Sequence, residues 1–409
     1  MNKKLEPELR FPEFKNKGSW EIKRLIEIAS SVTDKNRKNV HSRVLTNSAE
    51  YGVVDQQDFF DKQIANSANL NGYYIVKKGD FVYNPRVSKH APVGPISKNK
   101  IGDGLMSPLY SIFRFSSSET EFFEFFFKTT IWHKYLLDKA KQGARHDRMG
   151  ISSSDLKNLP LPYPSPAEQQ KIADCLSSLD ELIKAETERL EALQAHKKGL
   201  MQQLFPAEGE TVPKLRFPEF QDSGEWVEKK LGDPEVSSFV NQKVKVDELE
   251  DDSYVSTENL LSDFGGKVKI SKLPNSGSFN CFLPGDILLS NIRPYLKKVW
   301  LSNQKGAASN DIIIIRNNRN LDSLFFSFLL KSDRFINHIM KSAEGVKMPR
   351  GNKDSIKEFK IVVPKRDEQL KIAELLTAID IEISSQSEKI QTLKSHKKGL
   401  LQQLFPQLD

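Results

Sequence analysis

The chain has 409 residues, enough to bury more than one core, so two domains with connectors are the expected organisation. Its 38% hydrophobic and 28% charged residues fit an ordinary soluble protein, and a net charge of +7 allows a polyanionic partner without requiring one. The apolar runs are too short or too charged to span a bilayer, and the start, MNKKLEPELRF, lacks an apolar secretory core, so the expected location is cytoplasmic.

The first recognisable element is LRFPEF, Leu9 to Phe14, followed by Gly18 and Trp20. A block of mixed strands and short helices then extends to about residue 164. Gly79-Asp80 predicts a turn into an apolar strand, Phe81-Val82-Tyr83. Arg86 and Lys89 follow that strand, and Arg145 and Arg148 lie further on within GARHDRMG. Between them Phe122, Phe123, Phe125, Phe126, Phe127 and Trp132 crowd together at helical spacing, which reads as core rather than as a base-stacking platform.

A long amphipathic rod comes next. Its apolar positions are Ile172, Leu176, Leu179, Ile183, Leu190, Leu193, Leu200 and Leu204, interrupted only by Glu186 and Lys197. This four-three spacing keeps one stripe facing a partner helix, as in a coiled coil. Ser165 is the expected cap, Pro166 the first helical residue, and Glu168 completes a Ser-x-x-Glu capping box. Phe205-Pro206 ends the rod, and Gly199 loosens its last turn or permits close helix contact. About 38 residues at about 1.5 Å each give a rod of about 57 Å.

The sequence then repeats its order. LRFPEF recurs as Leu215 to Phe220 with Gly224 and Trp226, an offset of 206 residues. The second block, to about residue 365, has Gly285-Asp286 before Ile287-Leu288-Leu289, then Arg293, Lys297 and Lys298. Phe325, Phe326, Phe328, Leu329, Leu330 and Phe335 match the first aromatic crowd, and Lys347 and Arg350 lie within GVKMPRGN. The second rod carries Ile372, Leu376, Ile379, Ile383, Ile390, Leu393, Leu400 and Leu404, with Gln386 and Lys397 at the same interruptions and an offset of 200 residues. Asp367 is its expected cap, Phe405-Pro406 its end, and Gly399 matches Gly199.

Because the second block starts where the first rod stops, and compact domains bring their ends together, the second rod must run back along the first. The expected fold is therefore α+β. Two mixed α/β domains are separated by a long antiparallel pair of coiled-coil helices, with internal pseudo-two-fold symmetry. The expected divisions are 1–165, 166–206, 207–365 and 366–409, a domain and a spacer helix in each half.

Arg86, Lys89, Arg145, Arg148, Arg293, Lys297, Lys298, Lys347 and Arg350 are the candidate contacts to nucleic acid. Arginine pairs bidentately with guanine, and either cation fixes phosphates. The loops that carry them diverge between blocks while the core features persist, as two readers of different sequences require.

No catalytic, cofactor-binding or metal-ligating residues are identified. Asn84-Pro85-Arg86-Val87 resembles in part the Asn-Pro-Pro-aromatic loop of amino-methylating enzymes, but lacks the second proline and the aromatic residue. Gly265-Gly266-Lys267 lacks the spacing of a phosphate-binding loop. The seven histidines form no nucleophile or metal motif, and Cys175 and Cys281 stand in unrelated places.

The repeated LRFPEF-W segments, the paired Glu-Gln-x-Lys-Ile-Ala rods at Glu168–Ala173 and Glu368–Ala373, and the LFP endings resemble the specificity subunit of a type I restriction–modification system. The resemblance covers essentially the whole chain. It implies two target-recognition domains, each reading one half of a bipartite, asymmetric double-stranded DNA site, and a helical pair that sets their spacing. It also implies two modification (methyltransferase) subunits and restriction motor-nuclease subunits as partners. S-adenosylmethionine, ATP and Mg2+ would serve those partners rather than this chain, which is expected to be noncatalytic. A noncatalytic coiled-coil adaptor that binds proteins, or a standalone DNA methyltransferase, are the alternatives from the residues alone.

Overall fold

A computed structural model describes residues 5–59, 67–117, 119–140, 147–250, 253–269 and 273–408. The chain forms two compact units. One comprises Met1–Glu186 with Lys389–Asp409, the other Thr187–Glu388. The rod helices, Pro166–Leu204 and Arg366–Gln403, therefore each begin in one unit and end in the other.

The first unit is built on an antiparallel sheet in the order Ala29–Ser31, Ser111–Phe115, Phe81–Tyr83, Ile96–Lys98. Side chains alternate across it, as the pleat demands. Phe81, Tyr83, Phe113 and Phe115 join a core with the aromatic helix Glu121–Phe127, whereas Val82 and Ile112 face a second core with Leu45, Val53, Val76 and Met106. All five phenylalanines of that helix are buried, as is Trp132, so the aromatic crowd is core.

The second unit repeats this frame. Its sheet runs Ser237–Phe239, Ile312–Asn317, Ile287–Ser290, Val299–Leu301, also antiparallel. Ile287, Leu289, Ile313 and Ile315 face the helix Ser323–Leu330, and Leu288, Ile312 and Ile314 face the other core. In each unit a two-stranded ribbon ties the entrance of the block to its exit. Glu21–Arg24 pairs with Pro160–Tyr163, and Val227–Lys230 with Lys360–Val363. The chain ends of each block thus meet at the start of its rod helix.

Within each unit the rod segments lie antiparallel. In the first, Asp180 pairs with Lys397 and Glu186 with Lys389. In the second, Lys197 pairs with Asp380 at 2.5 Å and Arg189 with Glu382 at 3.2 Å. Three of the four polar interruptions in the apolar seam, Glu186, Lys197 and Lys397, are thus held by ion pairs with the facing helix, and Gln386 is buried. Ile172, Leu176, Ile372, Leu376, Ile379 and Ile390 are buried, while Leu179, Ile183, Leu190, Leu193, Ile383 and Leu393 are half-buried, because two helices alone cannot enclose the stripe between them.

The LFP endings do more than stop the helices. Leu404 and Phe405 enter the first unit's core, with the Phe405 ring 5.1 Å from Phe122 and 5.8 Å from Phe126. Leu204 enters the second unit's core, and Phe205 lies 5.4 Å from Phe325.

The helix starts correct two expectations. Glu168 donates its amide to Ser165 Oγ at 3.3 Å, but its carboxylate turns to Arg10, so only half of the capping box forms. Asp367 lies inside the first turn of the second rod, and the Lys365 carbonyl accepts the first helical amides. A side chain at Gly199 or Gly399 would meet nothing within 4 Å among the described residues, so neither glycine is there for close helix contact.

Candidate nucleic-acid interface

The site grows out of the Gly-Asp turn before the central strand. Gly79 and Gly285 adopt φ of +94° and +91°, a region that favours glycine. Asp80, buried, accepts the Lys77 amide at 2.7 Å and is gripped at both oxygens by Arg114, at 2.6 and 2.9 Å. Asp286 repeats this with the Leu283 amide at 2.8 Å and Arg316 at 2.7 Å on both oxygens. The carboxylate of Asp80 holds Arg114 above the usual guanidinium range, chiefly through these hydrogen bonds, and Asp286 does the same to Arg316. Each pair locks the root of the central strand, so the loop at its far end springs from a fixed base.

That loop is cross-linked to the segment before the rod helix in the same way in both units. In the first, Arg86 and Arg148 form an antiparallel bridge, with Val87 N donating to Asp147 O at 3.0 Å and Met149 N to Pro85 O at 2.8 Å. In the second, Ile292 and Arg350 form it, with Arg293 N donating to Pro349 O at 2.8 Å and Gly351 N to Asn291 O at 3.1 Å. Asn84 braces the first loop: Nδ2 donates to Asn47 O at 2.8 Å and Oδ1 accepts the Arg86 amide at 3.0 Å. The motif set aside as a methylating loop is thus a structural brace with both polar ends occupied.

The domain matching this pattern is the type I restriction modification DNA specificity domain, found twice, over residues 17–195 and 224–395. The chain belongs to this family. It is 28% identical over 271 residues to the type I restriction enzyme MjaVIII specificity subunit of Methanocaldococcus jannaschii, covering 61% of this chain and 63% of the relative, just under two thirds of its length. The MjaIX specificity subunit of the same organism is 26% identical over 307 residues, 70% of this chain and 68% of that one. Among solved structures, the S subunit of a type I restriction–modification system from M. genitalium has the same fold, with a TM-score of 0.56 at 16% identity over 99% of this chain and all of that one. A chain from a study of complex assembly and conformational transition in a type I system gives 0.57 at 14% identity, over 95% and 97%.

In this family member the candidate cations fall into three groups. Arg86, Lys89, Arg293 and Lys347 are exposed, with no ion-pair partner among the described residues. Arg148 and Arg350 anchor the bridges. Arg148 Nε is buried without a hydrogen bond among the described residues and lies 3.7 Å from Asp147, and the Arg350 guanidinium reaches Asp311 at 3.1 Å. Lys297 and Lys298 are engaged within the unit. Lys297 pairs with Asp333 at 2.7 Å and holds that carboxyl below its usual range, mainly by this hydrogen bond, while Lys298 donates to Thr257 O at 2.7 Å. Arg145 lies outside the described residues.

Two backbone positions sharpen the second loop. Arg293 and Lys297 have φ of +50° and +53°, in the left-handed region that costs a side-chain-bearing residue about 1 kcal/mol or more. Gly351 is required because a Cβ there would stand 2.7 Å from Ile339 Cγ2 and 2.8 Å from Asn291 Oδ1.

The reading of the residues missed the clamp made by the LRFPEF repeat. Arg10 grips Glu168 at 2.7 and 2.8 Å and donates to Gly18 O at 2.6 Å; Arg216 grips Glu368 at the same two distances and donates to Gly224 O at 2.7 Å. Both pairs are almost fully buried. The signal was present, since each Arg recurs with its Glu, but nothing local says that residues so far apart meet. Among the described residues no group of three or more His, Cys, Asp or Glu side chains is placed to hold a metal ion, and no helix is long and apolar enough to cross a membrane.

Proposed function

We propose that this chain is the noncatalytic DNA-sequence-specificity subunit of a type I restriction–modification complex. Each unit reads one half of a bipartite, asymmetric duplex site. The observation that carries the reading is the duplicated bridge, in which one backbone frame presents Arg86 and Arg148 in one unit and Ile292, Arg293 and Arg350 in the other. A frame kept constant while its outward side chains change is what two readers of different words require.

In this reading the segments 1–165 and 207–365 are the target-recognition domains, and 166–206 and 366–409 the spacer. Arg86, Lys89, Arg145, Arg293 and Lys347 contact DNA directly, with Arg148 and Arg350 at the bridges, while Lys297 and Lys298 shape the second loop. Two modification subunits dock on the chain, motor-nuclease subunits join them, and S-adenosylmethionine, ATP and Mg2+ act in those partners. The paired helices hold the two half-sites at a set spacing.

The test is selection from a randomised duplex library by the purified chain with its modification subunits. Recovery of a reproducible two-part sequence is expected. No enrichment by an intact complex would favour a protein-binding adaptor instead.

A further inference from the structure

The junction between rod and aromatic helix is built twice, and its two versions balance charge differently. In the first unit Lys128 and Lys397 lie over the Phe125 ring, 4.7 and 5.5 Å from its centroid. Asp180 pairs with Lys397 and stands 3.9 Å from Lys128. Glu124, one helical turn before Lys128, adds a second carboxylate at 3.1 Å and also holds Lys100 at 2.7 Å. Each cation has a carboxylate partner.

In the second unit Lys331 and Lys197 lie over Phe328 in the same manner, at 5.9 and 5.2 Å. Asp380 takes Lys197. The place of Glu124 is held by Ser327, buried on the helix Ser323–Leu330, which offers no charge. Lys331 is half-buried and has no ion-pair partner among the described residues. Burial first, and then the neighbouring Lys197, hold its ammonium below the usual lysine range against the opposing pull of Asp380.

Lys331 opens on a cleft of about 2130 Å³ whose lining residues all belong to the second unit. Its wall carries the apolar side chains of Met201, Phe205 and Leu329 together with more cations, Lys197, Lys198 and Lys341 among them, than carboxylates such as Asp380. A nucleic-acid backbone stays hydrated and gains little from such apolar side chains. A polypeptide segment covers them and brings a carboxylate to the cation.

We propose that this cleft is a docking site for a polypeptide segment of the modification subunit, whose acidic side chain takes at Lys331 the place that Glu124 holds at Lys128. The proposal rests on the specificity-subunit reading and adds to it a location, a charge and an asymmetry. The first junction is closed from within; the second awaits its counter-charge from a partner.

Ser327→Glu tests this directly, because it supplies the internal carboxylate one turn before Lys331 and leaves the lysine in place. Lys331→Met is the second variant, removing the cation at similar length. Binding of the purified modification subunit to the full chain is measured by calorimetry, and binding of the same chains to duplex DNA is followed across salt. Both variants are expected to weaken at least one step of subunit binding about tenfold or more, with the salt dependence of DNA binding unchanged. Unchanged subunit affinity in both overturns the inference. So does a shallower salt dependence with weaker DNA binding, which assigns the cleft to phosphates. A wild-type chain that binds no modification subunit overturns the specificity-subunit reading, and this inference with it.

Discussion

In the first unit the ring of Phe405 is fully buried between Phe122 and Phe126, whereas its counterpart Phe205 in the second is only half-buried beside Phe325. The buried clamps differ too. Trp226 Nε1 donates to Glu368 at 3.3 Å, while Trp20 Nε1 has no hydrogen-bond partner among the described residues. Yet the sheets, the Asp–Arg locks and the strand-end bridges repeat. The frame is kept in the sheets, the Asp–Arg locks and the strand-end bridges, and it drifts at the rod ends and at the indole N–H beside each clamp. On the proposed reading, that division lets one scaffold carry two recognition surfaces.

The LFP endings separate the two units most strongly. Phe405→Ala removes a fully buried ring and is expected to cost about 3–5 kcal/mol, while Phe205→Ala costs less because its ring is already partly exposed. Native-state hydrogen exchange separates the two: the amides of Ser111–Phe115 lose protection in the first variant and those of Ile312–Asn317 in the second. Equal losses in both strands from either variant would show that the two cores do not depend on separate rod ends.

A smaller difference is expected between the clamps. Neutralising either carboxylate, Glu168→Gln or Glu368→Gln, leaves a buried guanidinium without its counter-charge and is expected to cost about 3–5 kcal/mol. Glu368→Gln is expected to cost about 1 kcal/mol more, because it also disturbs the Trp226 hydrogen bond. Denaturant unfolding monitored by fluorescence of Trp20 and Trp226, each kept as the sole reporter in turn, measures both values. An excess in the Glu168 variant would contradict the assignment.

Much of the frame was legible in the chain because it is periodic or repeated. The seam from Ile172 to Leu204 and its copy from Ile372 to Leu404 declare a helix pair, and connectivity alone requires it to be antiparallel. The aromatic helices read as core because their spacing is helical. What was not legible depends on long-range pairing. Arg10 and Glu168, or Asp80 and Arg114, are separated by whole domains or strands, and only the fold brings them within hydrogen-bond distance. Lys297 and Lys298 read from the sequence as candidate contacts to nucleic acid, and in the fold Asp333 and the Thr257 carbonyl engage their ammonium groups. Likewise Ser165 and Glu168 spell a capping box, but a buried arginine outcompetes the backbone amide for the carboxylate.

In the proposed function each unit reads its own half-site through the loop fixed by its bridge. Its most direct test is library selection with Arg86→Ala in the assembled complex, compared with wild type. The expected result is a relaxed preference of about 1–3 kcal/mol at one or two positions of a single half-site, with the other half and the spacing unchanged. Equal degradation of both halves, or an unaltered two-part sequence, would contradict it.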